Sequence, residues 1–198
     1  PELASLRFAA KGTAIEIAGE AFKIGERDFA AGSLIVRRAD TAFDTSAARL
    51  GLDVLHSDSL PEVATRKLGL PRVAILHTWL NTQDEGWYRI EFERLGIPYD
   101  YISDQDVSRM GDLRSKYEVI IFGPIRTSAQ NIVRGVQKFS ESEAPIPWKK
   151  SDLTPNMGLS PDQTDDIRGG LGISGVANIN DFVNAGGLFI TIADNASL

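Results

Sequence analysis

His56 and His77 are the only histidines of the chain, and the carboxylates that could work with them sit at a few defined places. Asp84 and Glu85 follow one apolar run, Asp104 and Asp106 follow a second, and Asp194 follows the last. Gathered at one edge of a sheet, such groups could bind a cation or exchange protons with a substrate. His77 ends the first run, where α/β folds place their ligands. His77, Asp84, Glu85, Asp104 and Asp194 are therefore the candidates for a ligand crevice at strand carboxyl ends. A plainer origin of the pattern is also open. Asp and Glu favour turns and helix N-termini without any function, and His77 can simply be the polar residue that finishes a strand.

Other chemistries have less to stand on. A zinc site of the H-x-x-E kind needs Glu three residues after His, but Ser59 follows His56 at that spacing and Leu80 follows His77. The chain has no cysteine, so thiolate metal sites, disulfides and a cysteine nucleophile are all excluded. Gly170-Leu171-Gly172-Ile173-Ser174-Gly175 spells G-x-G-x-x-G, yet a dinucleotide fingerprint requires an apolar strand directly before it. Residues 161–168 are polar and carry Asp162, Asp165 and Asp166, which would repel a phosphate. These glycines are expected to form a turn into a helix. Trp79, Trp87 and Trp148 could line a pocket or an interface. Trp87 lies on a helical apolar face and is expected in the core, whereas Trp148, between Pro147 and Lys149, is the candidate for contact with a neighbouring domain.

The elements that must position these residues are legible as a change of pattern. Up to Val36, short β-branched or aromatic runs at 14–17, 21–24 and 33–36 are separated by Gly19, Gly25 and Gly32, which predicts small antiparallel strands. A short helix at 46–50 is closed by Gly51, and 53–55 is a candidate strand. From Arg72 the runs become continuous, as in strands covered on both faces: 73–76, 99–102, 117–122 and 188–193. Between them lie a helix opened by a Thr82-x-x-Glu85 capping box, carrying Trp87, Ile90 and Leu95 to one side and stopped at Gly96, a helix over 128–139, and a helix over 174–185 with Val176, Ile179 and Val183 at helical spacing. Residues 140–168 form a long polar, proline-containing stretch, of the kind used as a binding element or an inter-domain contact. Strand–helix alternation of this type predicts right-handed parallel crossovers.

Bulk properties bound the function. The net charge of −6 opposes non-specific nucleic-acid binding, which needs a basic footprint. No run approaches the roughly 20 apolar residues of a membrane span. With 42% hydrophobic residues the chain can bury a core. It starts at Pro1 without a signal peptide and stops at Leu198 just after an apolar run, and both ends are expected to be cuts.

The runs Pro71-Arg72-Val73-Ala74-Ile75-Leu76, Asp84-Glu85-Gly86-Trp87 and Leu95-Gly96-Ile97-Pro98-Tyr99 resemble the C-terminal region of bacterial family M14 zinc carboxypeptidases. So do Gly169-Gly170-Leu171-Gly172, Gly175-Val176 and Phe182-Val183-Asn184-Ala185-Gly186-Gly187, while residues 25–33 resemble the stretch joining the peptidase domain to the domain after it. The resemblance implies a β-rich linking segment with a short helix over 1–70. It implies a class I glutamine amidotransferase-like domain over 71–198, a flavodoxin-like three-layer parallel sheet truncated at its C-terminus. In that fold a nucleophilic Cys occupies a tight turn after a core strand. The matching turn here is Ala193-Asp194-Asn195-Ala196, and Ser197 has no G-x-S-x-G frame. The resemblance therefore implies a non-catalytic accessory domain of a secreted or periplasmic enzyme. It has no catalytic residue and no cofactor of its own, zinc being held by the peptidase domain upstream. Its partners are that domain and peptide substrate, with no nucleic acid and no membrane. Two other readings stand beside it: a hydrolase or metal-binding enzyme using the acidic crevice, and a small-molecule-binding module.

Overall fold

Val73–His77 is the strand on which the architecture depends: five consecutive residues, all buried, with no alternation. A strand of that kind needs cover on both faces and a partner at each edge. In the computed structural model, which describes residues 2–81, 84–140, 143–157, 162–193 and 196, it has both. The chain divides into two compact units, Pro1–Leu70 with Glu93–Ile97 and Pro71–Phe92 with Pro98–Leu198.

The first unit runs α1 (Glu2–Ala9), β1 (Ile15–Ala18), β2 (Phe22–Ile24), β3 (Arg27–Phe29), β4 (Leu34–Val36), α2 (Thr41–Arg49) and β5 (Thr65–Lys67). β1 lies between β4 and β5, antiparallel to both, and β2–β3 is a separate hairpin. Gly25, at φ +58, sits in the turn that closes the hairpin. Leu6, Ala10, Ile15, Phe43 and Ala47 form the core of this unit. Asp40 caps α2 by accepting from the Phe43 N–H at 2.8 Å, and Gly51 at φ +66 follows its end. The antiparallel strands and the short helix agree with the sequence pattern, although the helix starts at Thr41. Residues 53–55, expected as a strand, have no strand partner.

The second unit carries β6 (Val73–His77), α3 (Glu85–Leu95), β7 (Asp100–Ser103), α4 (Asp104–Arg109), β8 (Val119–Phe122), α5 (Ala129–Arg134), α6 (Gly172–Asn184) and β9 (Leu188–Thr191). The four strands form one parallel sheet in the order β7-β6-β8-β9. Ala74, Leu76, Ile102, Ile120 and Phe122 pack with Val107 of α4, Ile132 of α5 and Ile179 and Phe182 of α6. No helix among the described residues is long and apolar enough to cross a membrane.

Two helices turn a different face to the core from the one their spacing predicts. Trp87 is 69% exposed and Ile90 54% exposed. α3 instead buries Glu85 and turns Tyr88, Arg89 and Phe92 inward, with Phe92 edge-on to Tyr99 at 5.8 Å. The cause is Gly123, where even a methyl group would lie 3.0 Å from the Glu85 Cβ, so α3 approaches the end of β8 along its Glu85 side. α6 buries Gly175, Ile179 and Phe182, and Val183 is exposed. The reason lies at Gly175, whose added Cβ would meet Leu171 at 2.8 Å and the Ser108 backbone of α4 at 3.5 Å. α5 is also shorter than expected, because Gly135 at φ +66 ends it against Gly169. The capping box expected at Thr82 lies outside the described residues.

Candidate site at the strand carboxyl ends

In a parallel sheet of this order, β6 and β8 send their chains to opposite sides, and the crevice between the two departing loops is where such sheets take ligands. Side chains tie the two loops together across it. Asp84, just before α3, pairs with Arg126 at 2.8 Å, and Asn81 donates to the Ile125 carbonyl at 3.3 Å. Arg126 holds φ +61, a left-handed conformation that disfavours a side chain with a Cβ.

Beside that clamp runs a column of stacked groups. The Arg89 guanidinium lies 4.5 Å from the centre of the Tyr101 ring. Tyr101 stacks on His77 at 4.1 Å, with the rings 8° from parallel. His77 meets Trp79 edge-on at 4.9 Å, and Trp79 packs against Trp148 at 6.3 Å. The alternation of β6 and β7 sets this up, because Ile75 pairs with Tyr101 and His77 with Ser103, placing His77 and Tyr101 on one face. The Tyr101 hydroxyl donates to Glu85 Oε1. Burial first, and then the neighbouring Glu85 carboxylate, push the Tyr101 hydroxyl far above its ordinary pKa, so it stays a donor.

The His77 side chain is 1% exposed, and its Nε2 lies 2.8 Å from Asp162 Oδ2. A carboxylate only accepts, so His77 Nε2 carries a proton and donates it to Asp162. Asp162 belongs to the long 140–168 segment, which has no α-helix or β-strand among its described residues but is tied down repeatedly. Trp148 and Thr164 exchange backbone bonds at 2.9 and 3.0 Å. Gln105 of α4 donates to the Asp166 and Arg168 carbonyls at 2.8 and 3.0 Å. The buried Arg168 guanidinium binds Asp166 at 2.7 Å and Glu143 at 3.2 Å, and it holds the Asp166 carboxyl well below the usual range. The segment thus closes over the end of β6 with Trp148 and Asp162 facing it.

Several polar atoms here are buried without a hydrogen-bond partner among the described residues: His77 Nδ1, Thr78 Oγ1, Trp79 Nε1, Glu85 Oε2 and Asp104 Oδ2. Left unpaired, each costs about 1–3 kcal/mol, and such a concentration marks a site rather than a packing fault. Asp104 opens α4 immediately after β7 and is wholly buried. Burial, with the nearby Asp106 charge adding to it, pushes its carboxyl up to about 7, against the pull of the Gln105 N–H.

No protein-family model matches this sequence, and no curated protein or solved structure is significantly similar to it. Geometry alone therefore bears on the role of the site.

Of the five crevice candidates, His77 and Glu85 meet through Tyr101, Asp84 joins the loop clamp, and Asp104 lies one residue past the strand position paired with His77. Asp194 lies outside the described residues. Trp148 covers Trp79 and is 39% exposed. Tyr101, Arg89, Thr78 and Asp162 join the site without a sequence signal; Asp162 is 85 positions from His77, and no spacing rule links them. No group of three metal-ligating side chains occurs among the described residues. The glycine run does not cradle a ligand: a Cβ on Gly170 would lie 2.5 Å from the Gly135 nitrogen, and Gly172 turns the chain at φ +61. An open cleft of about 850 Å³ in the first unit, lined by Phe22, Phe29, Val36, Phe43 and Leu55, contains none of the strand-end groups. The strand ends, unlike that cleft, concentrate buried, unpaired polar atoms from neighbouring elements.

Proposed function

We propose that this chain is a non-catalytic accessory domain of a secreted or periplasmic M14-type zinc carboxypeptidase, built on a class I glutamine amidotransferase-like sheet. Its strand-end crevice packs on the peptidase domain or presents peptide to it. The strand order supports the fold assignment, since second–first–third–fourth follows the flavodoxin-like sequence of strands. The observation that carries the functional reading is Ala193. Ala193 follows β9 at φ +59, a left-handed conformation that strains a residue with a Cβ, and where the amidotransferase-like reading expects the nucleophile turn it offers only a methyl group. Zinc belongs, in this reading, to the peptidase domain.

The test is direct. The chain, incubated with glutamine and with peptides, is expected to release neither ammonia nor amino acids, and to associate with the peptidase domain encoded in the same reading frame. Turnover by the chain alone would overturn the reading. One observation favours a hydrolase instead: Asp104, with a carboxyl near 7, is suited to general acid–base work. Turnover abolished by Asp104→Asn would establish that alternative. A metal titration with an Asp84→Asn control separates out a metal-dependent version of it.

A further inference from the structure

Within the crevice, the unpaired buried atoms are not a random mixture. Glu85 Oε2 can only accept while the carboxyl is ionised. His77 commits its Nε2 proton to Asp162 and leaves Nδ1 buried without a partner. Asp162 is a carboxylate with its side chain 20% exposed, and it accepts from His77 Nε2 at 2.8 Å and from the Gln163 N–H at 2.7 Å. Trp79 Nε1 is the one pure donor of the group. Of the cations around the crevice, Arg89 lies over the Tyr101 ring, Arg126 pairs with Asp84, and Lys149, next to Trp148, pairs with Asp165. The carboxylates of Glu85 and Asp162 thus flank the Tyr101–His77 stack, with Trp79 and Trp148 beyond it.

We propose that this crevice recognises a primary ammonium group, such as that of a lysine side chain in a peptide. It would sit between Glu85 and Asp162 and enter where the partly exposed Trp148 covers Trp79. An ammonium brings three donors and no acceptor, which complements the carboxylates of Glu85 and Asp162. Its charge is attracted to the faces of Trp79 and Trp148. An acidic or phosphorylated ligand would meet two carboxylates. The inference rests on the accessory reading, for it takes the site to bind and not to cut.

The experiment compares 1,5-diaminopentane with 1,5-pentanediol, two probes of the same length differing in ammonium against hydroxyl. Each is titrated into the chain at physiological ionic strength while thermal midpoint and tryptophan fluorescence are followed. The diamine is expected to give a saturable rise and the diol none. Glu85→Gln and Trp148→Ala should each weaken the diamine by about tenfold or more, while Glu20→Gln, in the first unit, should leave it unchanged. Trp148→Ala alters a partly exposed position, so it remains informative if Glu85→Gln fails to fold. Equal responses to the two probes, no response to the diamine, or undiminished binding by either variant would overturn the proposal. Ammonia release from glutamine would instead sink the accessory reading, while an inert chain indifferent to the diamine would sink this inference alone.

Discussion

Asp104 gives the structure its sharpest quantitative consequence. Its carboxyl is wholly buried, and burial raises it from the ordinary 3.8 to about 7. The folded state therefore favours the protonated form. The sign follows from linkage: the contribution of this group to stability is complete below about pH 4, declines as pH rises through the interval, and is lost above about 7. At roughly 1.4 kcal/mol per tenfold in proton affinity, the rise is worth on the order of 4 kcal/mol. Asp104→Asn keeps a side chain of the same shape neutral at every pH, with its oxygen still able to accept from the Gln105 N–H. Urea denaturation of both proteins from pH 4 to 8 measures the difference. Tryptophan fluorescence is the right signal, because Trp79, Trp87 and Trp148 all lie in the second unit. The variant should match the wild type near pH 4 and exceed it by several kcal/mol at pH 8. Glu16 and Glu118, both held at about 2 by Arg37 and Arg72 respectively, titrate in both proteins and cancel in the comparison. Two curves that stay parallel within about 1 kcal/mol would show that the carboxylate is solvated after all.

Three further changes test other joints of the structure. Tyr101→Phe removes the hydroxyl that donates to Glu85 and should cost about 1.5–3 kcal/mol in urea denaturation; in a Glu85→Met background the same change should be nearly neutral, and an equal cost in both backgrounds would disprove the pairing. Ala193→Gly relieves a left-handed alanine worth roughly 1–2 kcal/mol and gives back about 0.5–1 kcal/mol in chain flexibility. A small rise in thermal midpoint is the net expectation, and a fall would contradict the strained turn. Gly170→Ala should destabilise by about 3 kcal/mol or more, because its methyl would collide with backbone at 2.5–2.6 Å; Gly86→Ala, with open space around it in α3, should stabilise slightly in the same calorimetric scan.

The sheet was legible because its signal is local. A run such as Val73-Ala74-Ile75-Leu76 leaves a buried strand little alternative, and Gly96 and Gly186, at φ +68 and +85, stop their helices where the sequence places them. β5 was not legible, because Thr65-Arg66-Lys67 is polar and becomes a strand only by filling the open edge of β1, where Thr65 also reaches Glu16 at 2.5 Å. α1 was illegible for a similar reason, since the core that Leu6 joins is defined by Ile15, Phe43 and Ala47 elsewhere in the chain. Helix faces failed where a glycine on another element fixed the approach, as Gly123 does for α3. In the site, strand-end position pointed to His77 and Glu85. The Tyr101 that joins them carries no polar spacing signal, and it reads as a strand residue until the register of β6 and β7 is known.

That joining residue also bears on what the site can do. A histidine acting in catalysis must reach a substrate and exchange a proton with it, within hydrogen-bond range of the reacting atom. His77 has one ring face against Tyr101, Trp79 packed edge-on, and Nε2 committed to Asp162. Its side chain is 1% exposed, and aromatic groups from another strand and from the loop after its own pack against it. Such rigidity suits recognition, where preorganised acceptors lower the entropic cost of holding a ligand. It does not suit a shuttle that must alternate between partners. The His77–Asp162 contact therefore reads as the tie that holds the 140–168 segment over the crevice, with Trp148 carried into place by the same segment. A ligand that enters must work against that tie, so Asp162→Asn should loosen the cover before it changes any chemistry.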